Sequence, residues 1–313
     1  MKSQPKTHPD RWIKCISTHG NIRGVAIQAT ELVKSVAKLH GLGPTGAKGM
    51  GEVIIGGLLI ASNCKTGERI NLNIQGSGFF RQALVDAHPD GTLRGYLTER
   101  PKDEVLTGSK NQEVGPWGSG LLSVLRTKGD EGKQPYIGTV PLLTGHLAKD
   151  LSFYWHQSEQ IPSAVGLVVT MENGEVTSAG GFLVQALPGA SQAEVNAIEN
   201  HINDLKSFDE AFQKDGDPLH LLSQIFQSTA FIVVEEKPLV FSCNCSWERV
   251  ERALILVGLQ ELKSMLAQDH QATVKCDFCT KEYKIDAEGL EKLILYVSGD
   301  RTTEPGKVTG SSE

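Results

Sequence analysis

The chain has 313 residues, 39% of them hydrophobic and 22% charged, with a formal charge of −6. That length suits about two domains of roughly 150 residues, and the acidic balance argues against a sequence-independent grip on nucleic-acid phosphates. The longest strongly apolar run, residues 53–61, is less than half of the roughly 20 residues a membrane-spanning helix needs, so neither nucleic acid nor a membrane is expected as a partner.

Residues 1–10 are polar and broken by Pro5 and Pro9. They lack the apolar stretch of a secretion signal, which leads to the expectation of a cytoplasmic protein. Apolar residues from Thr30 to Leu39 recur at helical spacing and stop at Gly41, which predicts a helix over 30–41. Residues 41–51 place five glycines around Lys48 and invite a phosphate-loop reading. It fails, because Gly49 follows the lysine where a hydroxyl for Mg²⁺ is needed. A close-packed helix with small residues on its buried face is expected instead, with no dependence on ATP.

Ile70, Leu72 and Ile74 alternate with Asn71, Asn73 and Gln75, the pattern of a half-buried strand. Residues 165–171 read as another strand, turned back by Asn173-Gly174. Residues 10–188 thus mix helix and strand patterns and form the core-building part. Pro188-Gly189-Ala190 then marks a break, and Ser191-Gln192-Ala193-Glu194 is a capping box that opens a helix. Val195, Ile198, Ile202 and Leu205 lie on one stripe, extended by Phe208 and Phe212, until Asp215-Gly216-Asp217-Pro218 interrupts it. Residues 191–237 carry nine acidic residues against three lysines. Short helices of this kind are marginal alone and must dock. Plain packing onto the core is the simpler reading of the stripe, but its position before the cysteine-rich end means that loss of that end would release an apolar face.

Four of the six cysteines, Cys243, Cys245, Cys276 and Cys279, fall in the last quarter of the chain. Cys15 and Cys64 sit singly among apolar neighbours and read as inert core residues. The late four form Cys-x-Cys, thirty intervening residues, then Cys-x-x-Cys. In a reducing compartment such pairs mean metal or redox chemistry, and four thiolates make a closed tetrahedral shell of the kind Zn²⁺ prefers. The second pair sits between two β-prone arms, a knuckle aiming both sulfurs at one ion. A disulfide within the first pair would close a very small, strained ring of the labile class. Two readings stay open: a permanent zinc ribbon that folds a small domain, or a switch in which oxidation expels the metal and unfolds it. After the first pair, Ser246 is placed to cap a helix running to Gly258; Leu259, Leu262 and Leu266 continue in a second, and Asp286 caps a last one through Leu290, Leu293 and Tyr296. Beyond Gly299 the composition reads as disordered.

With these motifs the sequence closely resembles the heat-shock protein 33 family of redox-regulated holdase chaperones, over nearly the whole chain. The cysteine pattern carries the resemblance, together with Ser158-Glu159-Gln160-Ile161-Pro162, with residues 179–189, and with Cys245-Ser246 leading into Arg249-Val250. Two positions depart from the family pattern. Asn244 stands where the family has Arg, and Trp247 where it has a basic residue; losing a nearby cation raises a thiol's pKa and slows its oxidation.

The resemblance implies an α+β protein with a larger N-terminal mixed α/β domain (1–189), a metastable helical linker (190–237), a small C-terminal zinc domain (238–300) and a tail (301–313). It implies one Zn²⁺ per chain on Cys243, Cys245, Cys276 and Cys279 in the reduced, inactive form. Oxidation would form disulfides Cys243–Cys245 and Cys276–Cys279, release the ion, unfold the linker and let the chain, as a homodimer, hold unfolding client proteins. No catalytic residue is implied.

A constitutive zinc-ribbon interaction module is the alternative, including one that binds nucleic acid; that would need a basic face, whereas residues 238–300 carry seven Lys or Arg against ten Asp or Glu. A thiol–disulfide oxidoreductase on Cys276 and Cys279 would need its motif to open a helix, and the residues after Cys279 look like a returning strand.

Overall fold

The computed structural model describes residues 9–101, 115–128, 134–205, 212, 216–227 and 229–299. The expectations for residues 301–313 and for Phe208 fall outside them. The chain divides into two compact units between Ser242 and Cys243.

The first unit runs β1 (Arg11–Ser17), β2 (Ile22–Gln28), α1 (Thr30–Leu39), α2 (Pro44–Ala61), β3 (Arg69–Gly76), β4 (Phe80–Ala87), β5 (Thr92–Glu99), β6 (Gly120–Thr127) and β7 (Tyr136–Leu142). It continues with α3 (Leu147–Tyr154), one π-helical turn, β8 (Ser163–Glu172), β9 (Glu175–Ala186), α4 (Gln192–Asp204), α5 (Pro218–Phe226), β10 (Phe231–Pro238) and β11 (Val240–Phe241). β10-β1-β2-β9-β8 form one antiparallel sheet. β11-β5-β4-β3-β6-β7 form a second, antiparallel except where β11 runs parallel to β5.

Between the sheets lies α2, packed on β8 and β9 of one and on β3, β4 and β5 of the other. Fourteen of its 18 residues are buried, so it is apolar all round rather than striped. The short apolar run at 53–61 belongs to this helix, and among the described residues no helix is long and apolar enough to cross a membrane. Its glycines let the neighbours close in: a Cβ at Gly49 would strike the Phe80 ring, one at Gly51 would stand 2.8 Å from Val169, and one at Gly57 2.8 Å from Val85. The glycine-rich stretch after Gly41 is therefore a packing device, with Pro44 as its first residue.

The first sheet is covered on both faces. Trp12, Val25, Ile27, Val169 and Leu183 belong to the core around α2. Their strand neighbours Ile13, Cys15, Ala26, Val168, Phe182 and Val184 point the other way into a second core, as the period of two requires. That second core is completed by Ile198 of α4, by Phe212, and by Leu221, Leu222, Ile225 and Phe226 of α5. The capping box at Ser191 and Glu194 forms as expected. So do the helix from Thr30 and the Asn173-Gly174 turn, whose two residues have φ of 52° and 87°.

The end of the stretch expected as helical linker is a strand. Phe231-Ile232-Val233-Val234 is β-branched and aromatic, suited to a pleated surface, and β10 pairs with β1 from Ser17↔Phe231 to Arg11↔Pro238. β11 adds a short rung on β5, so the compact first unit extends to Ser242.

The second unit contains α6 (Trp247–Val257), α7 (Leu259–Asp269), the hairpin β12 (Gln271–Lys275) and β13 (Glu282–Asp286), and α8 (Ala287–Val297). Gly258, at φ 99°, turns α6 into α7, and the Asp286 side chain accepts from the Gly289 amide at the start of α8. Its core is small: Val250, Leu254, Leu262, Ala272, Tyr283, Ile285, Leu290 and Leu293.

Candidate functional site

Cys276 and Cys279 occupy the turn of the β12–β13 hairpin. The turn is tied by Cys276 N–H to Lys281 O (2.9 Å) and Thr280 N–H to Cys276 O (2.8 Å), with Thr280 in the left-handed region. This is a knuckle between antiparallel strands, not a helix N-terminus, so the oxidoreductase alternative lacks the feature that would stabilise its thiolate. Cys243 and Cys245 lie in the irregular segment before α6. Ser246 is its N-cap residue, through its backbone carbonyl, which accepts from Arg249 and Val250, rather than through the hydroxyl the sequence suggested.

The two knuckles face each other. Cys243 Sγ is 3.7 Å from Cys276 Sγ, Cys245 Sγ is 3.4 Å from Cys279 Sγ, and all four sulfurs lie within 4.8 Å of one another. All four are free thiols, partly buried. A tetrahedral ion with metal–sulfur bonds of about 2.3 Å sets its ligands about 3.8 Å apart. The two cross-knuckle distances lie close to that spacing, and the donor set is the soft one that Zn²⁺ accepts.

The supporting shell was not legible beforehand. Tyr283 Oη donates to Cys245 Sγ at 3.1 Å. Burial pushes the Cys245 thiol up, but the Tyr283 hydrogen bond and the adjoining sulfurs outweigh it and bring it down to about 7. Burial holds Cys243 and Cys279 above the ordinary thiol value. Trp247 stands edge-on to the Tyr283 ring, with centroids 5.1 Å apart, and Lys281 Nζ sits 5.3 Å from the same ring. The aromatic departure at 247 thus braces the tyrosine that serves Cys245. At the other departure, Arg249 donates to Asn244 Oδ1 at 2.6 Å, returning a guanidinium from the first turn of α6 to the loop between the first two cysteines. The one available signal for Tyr283 was strand alternation, which puts it on the inner face of β13 with Ile285.

The other two cysteines are apart from this cluster. Cys15 is fully buried in the outer core of the first sheet, and burial raises its thiol to about 12. Cys64 is half-buried against the inner core and is raised by burial to about 11. Neither is present as thiolate near neutral pH, in keeping with inert packing roles.

Residues 10–286 match the family model described as Hsp33 protein. The chain belongs to the Hsp33 family. Among relatives, a 33 kDa chaperonin of Geobacter sulfurreducens is 38% identical over 286 residues, covering 91% of this chain and 94% of its own. One from Shouchella clausii is 33% identical, covering 91% and 97%. The crystal structure of the 33 kDa chaperonin (heat shock protein 33 homolog) from Thermotoga maritima superposes with a TM-score of 0.81 at 30% identity, covering 92% of this chain and 99% of that one. This Hsp33 family member therefore has the α+β architecture expected of it, and its four late cysteines form a cluster able to hold a metal ion.

Proposed function

We propose that the chain is a cytoplasmic, ATP-independent holdase chaperone switched by oxidation, with no enzymatic activity. Reduced, it holds one Zn²⁺ on Cys243, Cys245, Cys276 and Cys279; the sulfur cluster that matches a tetrahedral shell is the observation that carries this reading. When bound, the ion supplies folding free energy to a unit of about 60 residues with little core of its own. Tyr283 keeps Cys245 near its thiolate form, and a thiolate is what peroxide attacks. Oxidation takes two electrons per disulfide, passed to one peroxide molecule that leaves as water. We assign the disulfides to Cys243–Cys245 and Cys276–Cys279, each within one knuckle.

Residues 190–237 serve in this proposal as the linker between the core (1–189) and the metal domain (238–300), with 301–313 as a tail. The docked state of the linker supports it. Ile198, Phe212, Leu222 and Phe226 cover the outer face of the first sheet, and Ile13, Ala26, Phe182 and Val184 lie beneath them. Undocking exposes two complementary apolar surfaces at once, and such surfaces bind unfolded polypeptide. We assign unfolding client proteins as partners and a homodimer as the active form. A constitutive zinc ribbon would share the metal site but not need this removable cover.

The test measures zinc release and suppression of client aggregation in parallel, in dithiothreitol and after peroxide at elevated temperature. Release of one Zn²⁺ per chain as suppression appears, both reversed by reduction with zinc, is the expected result. Zinc retention, or suppression that ignores redox state, rejects the switch.

A further inference from the structure

At one end of the second sheet a cleft of about 470 Å³ opens between the turn before β3, the β4–β5 turn, the end of β6 and Lys237 of β10. Its volume lies within the range of small-molecule sites, yet its charged lining comprises Arg69, Lys128 and Lys237 with the carboxylates of Glu68 and Asp90. The carboxylates are already engaged. Glu68 Oε2 accepts from the Lys65 amide at 2.9 Å, and Asp90 Oδ1 accepts from the Thr92 amide at 2.9 Å and its hydroxyl at 2.7 Å.

The cations keep donors to spare. Among the described residues Arg69 uses only Nε, donated to Thr127 Oγ1 at 3.2 Å, which leaves both terminal nitrogens of its fork. Lys128 has no hydrogen-bonding or ion-pair partner among the described residues. Lys237 Nζ donates to Pro89 O at 3.1 Å and pairs with Glu235 at 3.2 Å, leaving one of its three N–H groups. A guanidinium fork lining one cleft with two ammonium groups is a phosphate-recognising combination.

The geometry points to a binding site for a diphosphate group, either inorganic pyrophosphate or the diphosphate end of a nucleotide. Arg69 grips it from the start of β3 and Lys128 from just past the end of β6, and Lys237 reaches it from β10. The same β4–β5 turn fastens the strands leading to the metal unit: Val240 N–H donates to Gly91 O at 3.1 Å, and Gly91, at φ 88°, leaves no room for a Cβ beside Pro238 O. Occupation of the cleft ties β10 to the core and favours the form in which β10 is paired. Its consequence for client release rests on the proposed switch, whereas the binding itself does not.

Calorimetric titration of the reduced, zinc-loaded chain with pyrophosphate, ADP and sulfate in about 0.1 M NaCl tests this, salt being fixed because screening sets such affinities. Saturable one-to-one binding of pyrophosphate or ADP is expected, with sulfate much weaker and with affinity falling at least about tenfold in Arg69→Ala/Lys128→Ala. Whether pyrophosphate alone, ADP alone or both bind identifies the source of the diphosphate. Glu68→Gln, which removes an opposing charge, is expected to tighten binding about threefold and decides the matter if the double variant does not fold. Absence of binding by both probes, equal affinity in the double variant, sulfate binding as tight, or no tightening in Glu68→Gln overturns the site.

Discussion

At the scale of single residues, the metal centre depends on Tyr283 as well as on its four sulfurs. The tyrosine gives a hydrogen bond to Cys245 and is itself braced by Trp247. Groups that orient a ligand typically matter by 10–100-fold in metal affinity. Tyr283→Phe keeps the ring and loses the O–H, so zinc affinity is expected to fall about tenfold in a chelator competition, with Cys245 alkylation shifting to higher pH. Unchanged values would remove Tyr283 from the centre. The pH dependence has a defined sign. Cys243 and Cys279 are held up by burial and carry protons near neutrality, whereas Cys245 is held down at about 7. Zn²⁺ must displace at least two protons, so its affinity is expected to fall about a hundredfold per unit from pH 8 to 7. The fall steepens below pH 7, where Cys245 also protonates. Chelator competition at pH 6, 7 and 8 reads this slope, and a flat profile would exclude thiolate ligation.

At the scale of elements, the packing of two helices can be tested. α5 lies on β2 where Gly24 leaves space: a Cβ there would stand 2.7 Å from the Phe226 ring and 3.0 Å from both Leu222 and Cys15 Sγ. Gly24→Ala is expected to weaken docking of α5 by about 1–3 kcal/mol, a typical cost of overpacking. In hydrogen exchange of the reduced protein, the amides of α5 should lose protection while those of α2 keep theirs. If α5 keeps its protection, the close approach is not what seats it. In α2, burial raises the Glu52 carboxyl to about 7, against the partial compensation of Lys48. Because its folded pKa lies above the unfolded value, the unfolded chain releases this proton first, and the core loses stability as pH rises from about 4.5 to 7. Glu52→Gln is expected to raise the melting temperature by about 3 °C at pH 8 and to leave it nearly unchanged at pH 5. Equal effects at both values would mean that the carboxyl is solvated.

At the scale of the whole molecule, the two units rest on different forces. The first is held by a two-sided sheet and a helix buried on all sides. The second has eight buried apolar residues among the described ones, a core too small to stand without a staple. A chelator added to reduced protein is therefore expected to abolish the melting transition of the second unit and preserve that of the α2 core, resolved by scanning calorimetry. A single transition, shifted as one, would show that both units unfold together.

Local rules were sufficient for much of this. The two short pairs Cys243/Cys245 and Cys276/Cys279, the capping box at Ser191, the Asn173-Gly174 turn and the helix starting at Thr30 each depend on neighbours a few residues apart, so the sequence by itself determined them. Apolar patterning also marked residues 195–212 as a face that must be covered. What covers it is a property of distant pairing: Phe226 lies over Gly24 because β1, β2 and β9 stand side by side. In the same way β10 is a strand because β1 offers it an edge. Tyr283 and Trp247 meet at Cys245, and Arg69, Lys128 and Lys237 meet in one cleft, through contacts spanning tens to more than a hundred residues. A linear pattern records which residues prefer burial or charge. Only tertiary packing decides which of them stand within hydrogen-bonding distance, because that distance is set by sheet order and close contact rather than by sequence separation.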